Sequence, residues 1–241
     1  VARSGVSELR AVLLDVDFTL CRPGPELGAE SYVRVGRRHG LELDPARYDE
    51  ARDRAVAGFQ RHPQLLHDEE LWIAFTERIV QGMGGTGRAT RACAKEVENA
   101  WENSANFDLY EDVFPVLEEL RRHGLKIGLI SNGVRDLSAF VAHHRLDVDV
   151  AVGSRDHGWT KPHESIFRSA LERLGVRADE AAMVGDSPED DVEGARALGM
   201  RAFLIDRENR FPDEPERLSD LYALPAALGL ERPAPDTIPR R

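Results

Sequence analysis

Five short apolar runs punctuate the chain, each ending where polar or glycine-containing residues begin: "AVLLD" (11–15), "LKIGLIS" (125–131), "VDVAVG" (148–153), "AAMVGD" (181–186) and "RAFLID" (201–206). Runs that are apolar almost throughout suit strands buried on both faces rather than strands with one wet face. Between the later runs, apolar positions recur at helical spacing. In "HESIFRSALERLG", Ile166, Phe167, Ala170, Leu171 and Leu174 share one face, and Gly175 offers a left-handed C-cap. Strands alternating with helices predict an α/β fold, a doubly wound parallel sheet with helices on both sides.

The stretch 22–106 breaks this rhythm. It holds no convincing strand and reads as four helices, 26–39, 45–60, 67–81 and 88–102, with breaks at Gly40, His62-Pro63 and the "GMGGTG" run at 82–87. The expected organisation is a discontinuous core domain, 1–21 and 107–231, with an inserted helical-bundle cap domain at 22–106. The proline-rich end, 232–241, reads as a disordered tail. There is no internal repeat.

Composition narrows the partners more than the fold. The 241 residues can bury a sizeable core, and 41% hydrophobic with 31% charged residues is ordinary for a globular protein. A net charge of −11 disfavours nucleic acid and anionic membrane surfaces. An anionic substrate would need local positive charge from a lysine, an arginine or a metal. No run of about 18 apolar residues is present to span a membrane, and the first ten residues lack the apolar segment of a secretory signal. Cys21 and Cys93 are far apart and match no metal spacing. A reduced, cytoplasmic location is the simplest expectation.

The candidate chemistry lies at the strand ends. Asp15 and Asp17 stand two apart at the close of the first run, so in an extended strand they point the same way, about 7 Å apart. That is the sheet edge where open α/β folds bind ligands. A lone aspartate there would more readily start a loop, so the other strand ends decide. "ISNG" (130–133) sets Ser131 and the amides of Asn132 and Gly133 ahead of a helix expected near Val134. A helix start attracts anions, although Ser131 would serve equally as a plain N-cap. "GWTKPHESIF" (158–167) places Pro162 in a first helical turn and Lys161 in the loop before it. "VGDSPEDDVEGA" (184–195) ends a strand at Asp186, followed by a Ser187 N-cap and a first-turn Pro188. Glu189, Asp190 and Asp191 suit the helix dipole and need no further role, but Asp186 precedes the helix. Three converging carboxylates need compensation. Lys161 and a divalent cation would supply it, and an all-oxygen set without a Cys or His pattern favours Mg²⁺. Attack on phosphorus by one carboxylate, with another giving and taking a proton, is the chemistry that fits.

Taken together, these motifs resemble the haloacid dehalogenase superfamily of hydrolases. Its Asp-x-Asp-x-Thr pattern is matched by Asp15-Val16-Asp17-Phe18-Thr19. Its later motifs are matched by Ser131, by Lys161-Pro162 and by Gly185-Asp186-Ser187 through Asp191. The resemblance implies that Asp15 is the nucleophile forming an aspartyl-phosphate, and that Asp17 protonates the leaving oxygen and then activates water. It implies that Thr19, Ser131, Asn132 and Lys161 bind the phosphoryl group. Mg²⁺ would be held by the Asp15 carboxylate, the Asp17 backbone carbonyl and Asp186, with Asp191 and Asp190 in support. The helical stretch resembles the family's C1-type cap at the same insertion point. Phe18 stands where Gly or Asn is more frequent.

Asp17 separates branches of the family. Its dehalogenases attack carbon and typically lack an acid there, so phosphate-ester chemistry is expected, on a small phosphorylated metabolite. A phosphomutase would have to retain and return the phosphoryl group, and nothing in the chain demands that. A receiver-like phospho-switch carries similar residues, but in about half this length and with the acceptor aspartate after a later strand. A catalytically silent scaffold would have no need of the full residue set. The "GMGGTG" run lacks a nucleotide loop's Gly-Lys-Ser/Thr ending and reads as a flexible connection. Arg61 and Trp72 are candidates for the substrate entrance, although a surface loop and a core anchor are the stronger readings. Substrate identity and oligomeric state stay open.

Overall fold

A computed structural model describes residues 8–230. The expected disordered tail at 232–241 lies outside them, as does most of the segment read for a secretory signal. Among the described residues the strands are β1 (Ala11–Leu14), β2 (Cys21–Pro23), β3 (Phe107–Leu109), β4 (Lys126–Ser131), β5 (Val150–Gly153), β6 (Ala181–Gly185), β7 (Arg201–Ile205) and β8 (Arg217–Leu218). Helices α1 (Ala29–Arg38), α2 (Tyr48–Ala57), α3 (Glu69–Gly82) and α4 (Ala89–Glu102) lie between β2 and β3. The principal later helices are α5 (Val113–Arg122), α6 (Leu137–His144), α7 (Ser154–His157) and α8 (Glu164–Leu174).

Six strands form one parallel sheet in the order β5-β4-β1-β6-β7-β8. Each apolar run is buried because successive side chains serve opposite faces. Val12, Leu14, Ile127, Leu129 and Val184 pack with Val116, Leu120 and Phe140 from α5 and α6. Leu13, Ile130, Met183 and Leu204 pack on the other face with Ile166, Phe167 and Leu174 from α8. Each such side chain contributes about 1.5–3 kcal/mol of burial. The sheet is thus covered on both sides, as the patterning predicts. β1 has β4 on one side and β6 on the other, so the chain leaves it in both directions. The crevice at its carboxyl end is a switch point of the topology.

The helical stretch has a core of its own, including Tyr32, Val35, Ala51, Ile79, Val80, Cys93 and Val97. Its helices fall within a few residues of the expected spans. Two features escaped the periodicity. β2 and β3, three residues each, pair antiparallel where the chain leaves and re-enters the sheet region, with Pro23 opposite Phe107. β8 has only two residues. The glycine run also differs from expectation. A Cβ on Gly82 would sit 2.5 Å from the Ala51 Cβ, and one on Gly85 would sit 2.8 Å from Val80. Gly82 allows α3 to close on α2, and Gly85 lets the chain after α3 fold back against Val80; these two are packing residues, not slack. No helix among the described residues is long and apolar enough to cross a membrane.

Candidate active site

Asp15 continues the ladder past β1: its N–H donates to the Val184 carbonyl at 2.9 Å. The chain then turns tightly, with the amides of Leu20 and Cys21 both donating to the Val16 carbonyl (2.8 and 3.1 Å). Within this turn Phe18 has φ +60°, a left-handed conformation that glycine or asparagine adopts at less cost. Its exposed ring lines the cavity over Asp15 and Asp17. Thr19 is wholly buried, and its hydroxyl has no hydrogen-bond partner among the described residues. Its carbonyl accepts from Arg207 at 2.8 Å.

Lys161 is 2% exposed. Its ammonium donates to Asp15 Oδ1 at 2.5 Å, Asp191 Oδ1 at 2.6 Å and the Ile130 carbonyl at 3.1 Å. Asn132 holds the same residue by its main chain: Lys161 N–H donates to Asn132 Oδ1 (2.7 Å), and Asn132 Nδ2 donates to the Lys161 carbonyl (3.0 Å). The Asn132 side chain is therefore a clamp on the lysine loop. Pro162 follows through a cis peptide bond and stands outside the helix, because α8 begins at Glu164 with His163 as its cap.

The loop after β4 departs from expectation in a similar way. α6 begins at Leu137, three residues later than expected, because Asp136 takes the cap by accepting from the Ala139 amide at 3.0 Å. Ser131 is thus not an N-cap. Of the two amides expected to face an anion, that of Gly133 donates to Ser154 Oγ at 3.1 Å. Ser131 itself is buried at the strand end. A Cβ placed on Gly133 would lie 3.8 Å from both Ser131 Oγ and Asp17 Oδ2, so these oxygens flank one small space.

Asp186 directly follows β6, and Asp191 rises from a π-helical turn, Pro188–Glu193, capped by Ser187. Asp191 has both oxygens engaged, Oδ1 by Lys161 and Oδ2 by the Ser187 amide at 3.0 Å. It presses so close to β6 that a Cβ on Gly185 would meet its Oδ2 at 2.1 Å. Ligand oxygens of Asp15, Asp186 and Asp191 lie within 4.8 Å of one another. Burial pushes the Asp15 carboxyl well above the usual range; Lys161 opposes this, while Asp191, Asp186 and Asp17 add to it. Burial and then Asp191 push Asp186 up to about 7. Burial alone would depress the Lys161 ammonium, but Asp15 and Asp191 outweigh it and raise it. The Lys161 ammonium, with the Arg210 guanidinium 3.4 Å from Asp186 Oδ2, still leaves negative charge uncompensated among three crowded carboxylates. A divalent cation fits that deficit, and the all-oxygen donors suit Mg²⁺. Asp190 lies to the side, paired with Arg61 at 2.8 Å, and Arg61 also bridges to Glu189. Arg61 thus joins the helical stretch to this turn. Trp72 does line the cavity, its ring tilted against that of Phe59 at 5.2 Å between centroids.

The residue that sequence reasoning missed is Arg135. It is buried, and its Nη2 donates to both Asp17 oxygens, at 2.5 and 2.7 Å. Its guanidinium lies 3.7 Å from the Phe107 ring centroid and 5.0 Å from that of Phe140. Burial would lower its pKa, but Asp17 outweighs that and raises it. A single arginine in a loop carries no periodic signal; only the fold brings it to Asp17. Cys21, a buried free thiol, also touches Asp17 Oδ1 at 3.7 Å. Above these residues opens a cavity of about 710 Å³, walled on one side by strand ends and on the other by α1, α2, α3 and α4.

Residues 9–199 match the family model described as haloacid dehalogenase-like hydrolase. The chain is 33% identical over 243 residues to phosphoserine phosphatase of Thermus thermophilus, covering 88% of this chain and 94% of that one. It is 29% identical over 223 residues to glyceraldehyde 3-phosphate phosphatase of Methanopyrus kandleri, covering 88% and 90%. The solved structure of a HAD phosphatase from Thermococcus onnurineus is similar to it with a TM-score of 0.65 and 30% identity, over 93% of this chain and all of that one.

Proposed function

The chain belongs to the haloacid dehalogenase-like hydrolases, and from that premise we propose a Mg²⁺-dependent phosphatase working through an aspartyl-phosphate on Asp15. The observation that carries this reading is the buried Lys161 between Asp15 and Asp191, with Asp186 beside them and Asp17 on the cavity wall. In this reading residues 22–106 form the cap, over a core of 1–21 and 107–231.

An Asp15 carboxylate oxygen attacks phosphorus, and the bond from phosphorus to the leaving alcohol oxygen breaks. Asp17 donates its proton to that oxygen as it leaves. Asp17 then takes a proton from water, the water oxygen bonds to phosphorus, and the bond to Asp15 breaks, releasing inorganic phosphate. Lys161 holds Asp15 in place and brings positive charge to the phosphoryl oxygens, with Ser131 and the Asn132 main chain beside it. Mg²⁺ held by Asp15, Asp186 and the Asp17 carbonyl would supply further positive charge against those oxygens. Asp191, with both oxygens already engaged by hydrogen bonds, supports Lys161 in this reading. Asp17 favours phosphate esters over haloacids because it provides the proton an alkoxide needs. The two named relatives act on small phosphorylated metabolites, and a substrate of that kind is proposed here.

The test is phosphate release from a panel of phosphomonoesters, with Mg²⁺ and with chelator. Release is expected with Mg²⁺, and its loss is expected in chelator and in Asp15→Asn, which should fall by about 10³-fold or more. Full activity of Asp15→Asn would refute the assignment of the nucleophile.

A further inference from the structure

The helical side of the cavity is built for more than a phosphate. Leu27, Tyr32, Trp72, Phe75, Ile79 and Trp101 give it a largely apolar, ring-rich wall. Its volume, about 710 Å³, falls in the range of sites that enclose drug-sized ligands, roughly 300–1,000 Å³. Into this wall α4 sets one carboxylate, Glu98. The Thr76 hydroxyl donates to its Oε1, and the Tyr32 hydroxyl neighbours Thr76. Among the described residues Glu98 has no ion pair and no second hydrogen-bond partner. Burial pushes its carboxyl up to about 7, with nearby Glu102 adding to the rise. A carboxylate in such a wall costs free energy unless a donor meets it, and the protein provides only one.

We propose that Glu98 selects the leaving group: the substrate is a phosphomonoester whose alcohol carries a ring-sized apolar body and, away from the phosphate, a hydrogen-bond donor that Glu98 accepts. This rests on the phosphatase reading above and specifies its substrate class. The apolar body fills the space among Tyr32, Phe75 and Trp101, and the donor satisfies the remaining Glu98 oxygen. A leaving group without a donor leaves that oxygen desolvated and unpaired. A carboxylate set against Glu98 is repelled. Discrimination of this kind is large because the site's own polar group is stranded by the wrong ligand.

The experiment compares kcat/KM for phenyl phosphate, which has no donor on its ring, with that for tyramine phosphate, which carries an ammonium beyond it. The full chain with Mg²⁺ is used. Wild type is expected to favour tyramine phosphate by about tenfold or more. In Glu98→Gln, which keeps shape but loses charge, that ratio should fall by about threefold, and in Glu98→Leu it should vanish. Equal kcat/KM for the two probes in wild type, or an unchanged ratio in both variants, overturns the role of Glu98 and leaves the phosphatase reading standing. If both variants fail to fold, the wild-type ratio alone decides. Release from neither probe by wild type, nor from any ester of the panel, overturns the phosphatase reading and this proposal with it.

Discussion

Each of the two opening aspartates is held by a buried cation from another part of the chain. Lys161 fixes Asp15, and Arg135 fixes Asp17 by both oxygens while lying against Phe107 and Phe140. Arg135→Ala would leave Asp17 without its partner and open a gap between the two rings. It should lower stability by about 3 kcal/mol and reduce kcat by roughly 10²-fold, read by urea unfolding and steady-state kinetics. Arg135→Lys keeps the charge but not the planar fork or the ring contact, so an intermediate loss is expected. Wild-type kcat in Arg135→Ala would show that Asp17 needs no such holder. Asp15, Asp17, Lys161 and Asp186 were legible in the sequence because acids and a lysine at strand ends form a recognisable pattern. Arg135 was not legible, and neither was the clamp made by Asn132. Both depend on side-chain contacts between loops after different strands, which no local spacing encodes.

Elements position these side chains through close contacts that glycines permit. Gly185 ends β6 directly beneath Asp191. Gly185→Ala should push the Asp191 carboxylate away, release Lys161 from one of its two carboxylates and lower activity at least about tenfold, measured as phosphate release. Gly82 has the same relation to α2 but lies in the helical stretch, away from the strand ends. Gly82→Ala should destabilise by about 1–3 kcal/mol in urea unfolding while leaving the Mg²⁺ dependence of turnover as in wild type. An equal effect of both substitutions on Mg²⁺ dependence would contradict this division. Helix spans were readable because periodicity over ten or more residues averages out local exceptions. Helix starts were less so: Asp136 rather than Ser131 caps α6, since a loop carrying Arg135 intervenes. The β2–β3 ribbon was unreadable because three residues show no period, and its pairing is across 83 residues of insert, 24 to 106.

At the scale of the whole molecule, the alternation of strands and helices revealed the layered architecture, while strand order was visible only in the fold. That order brings β1, β4 and β6 side by side and concentrates acids at one edge. The cost of this concentration should appear in stability against pH. Asp186, held at about 7 when folded, binds more protons folded than unfolded between pH about 4 and that value. Stability without metal therefore falls as pH rises through this window, and the raised Asp15 acts in the same direction. Mg²⁺ competes with those protons, so it should raise the melting temperature more at about pH 8 than at about pH 5. Thermal melts with Mg²⁺ and with chelator at both pH values measure this; an equal effect at the two would count against the acids as the cation's site.

The most direct test is to acid-quench the enzyme during turnover of a phosphomonoester with Mg²⁺ and map the phosphoryl group by mass spectrometry. It is expected on the peptide carrying Asp15, transient in wild type and absent in Asp15→Asn. Sustained turnover with no phosphoryl group on that peptide, or with the group on another residue, would contradict the account.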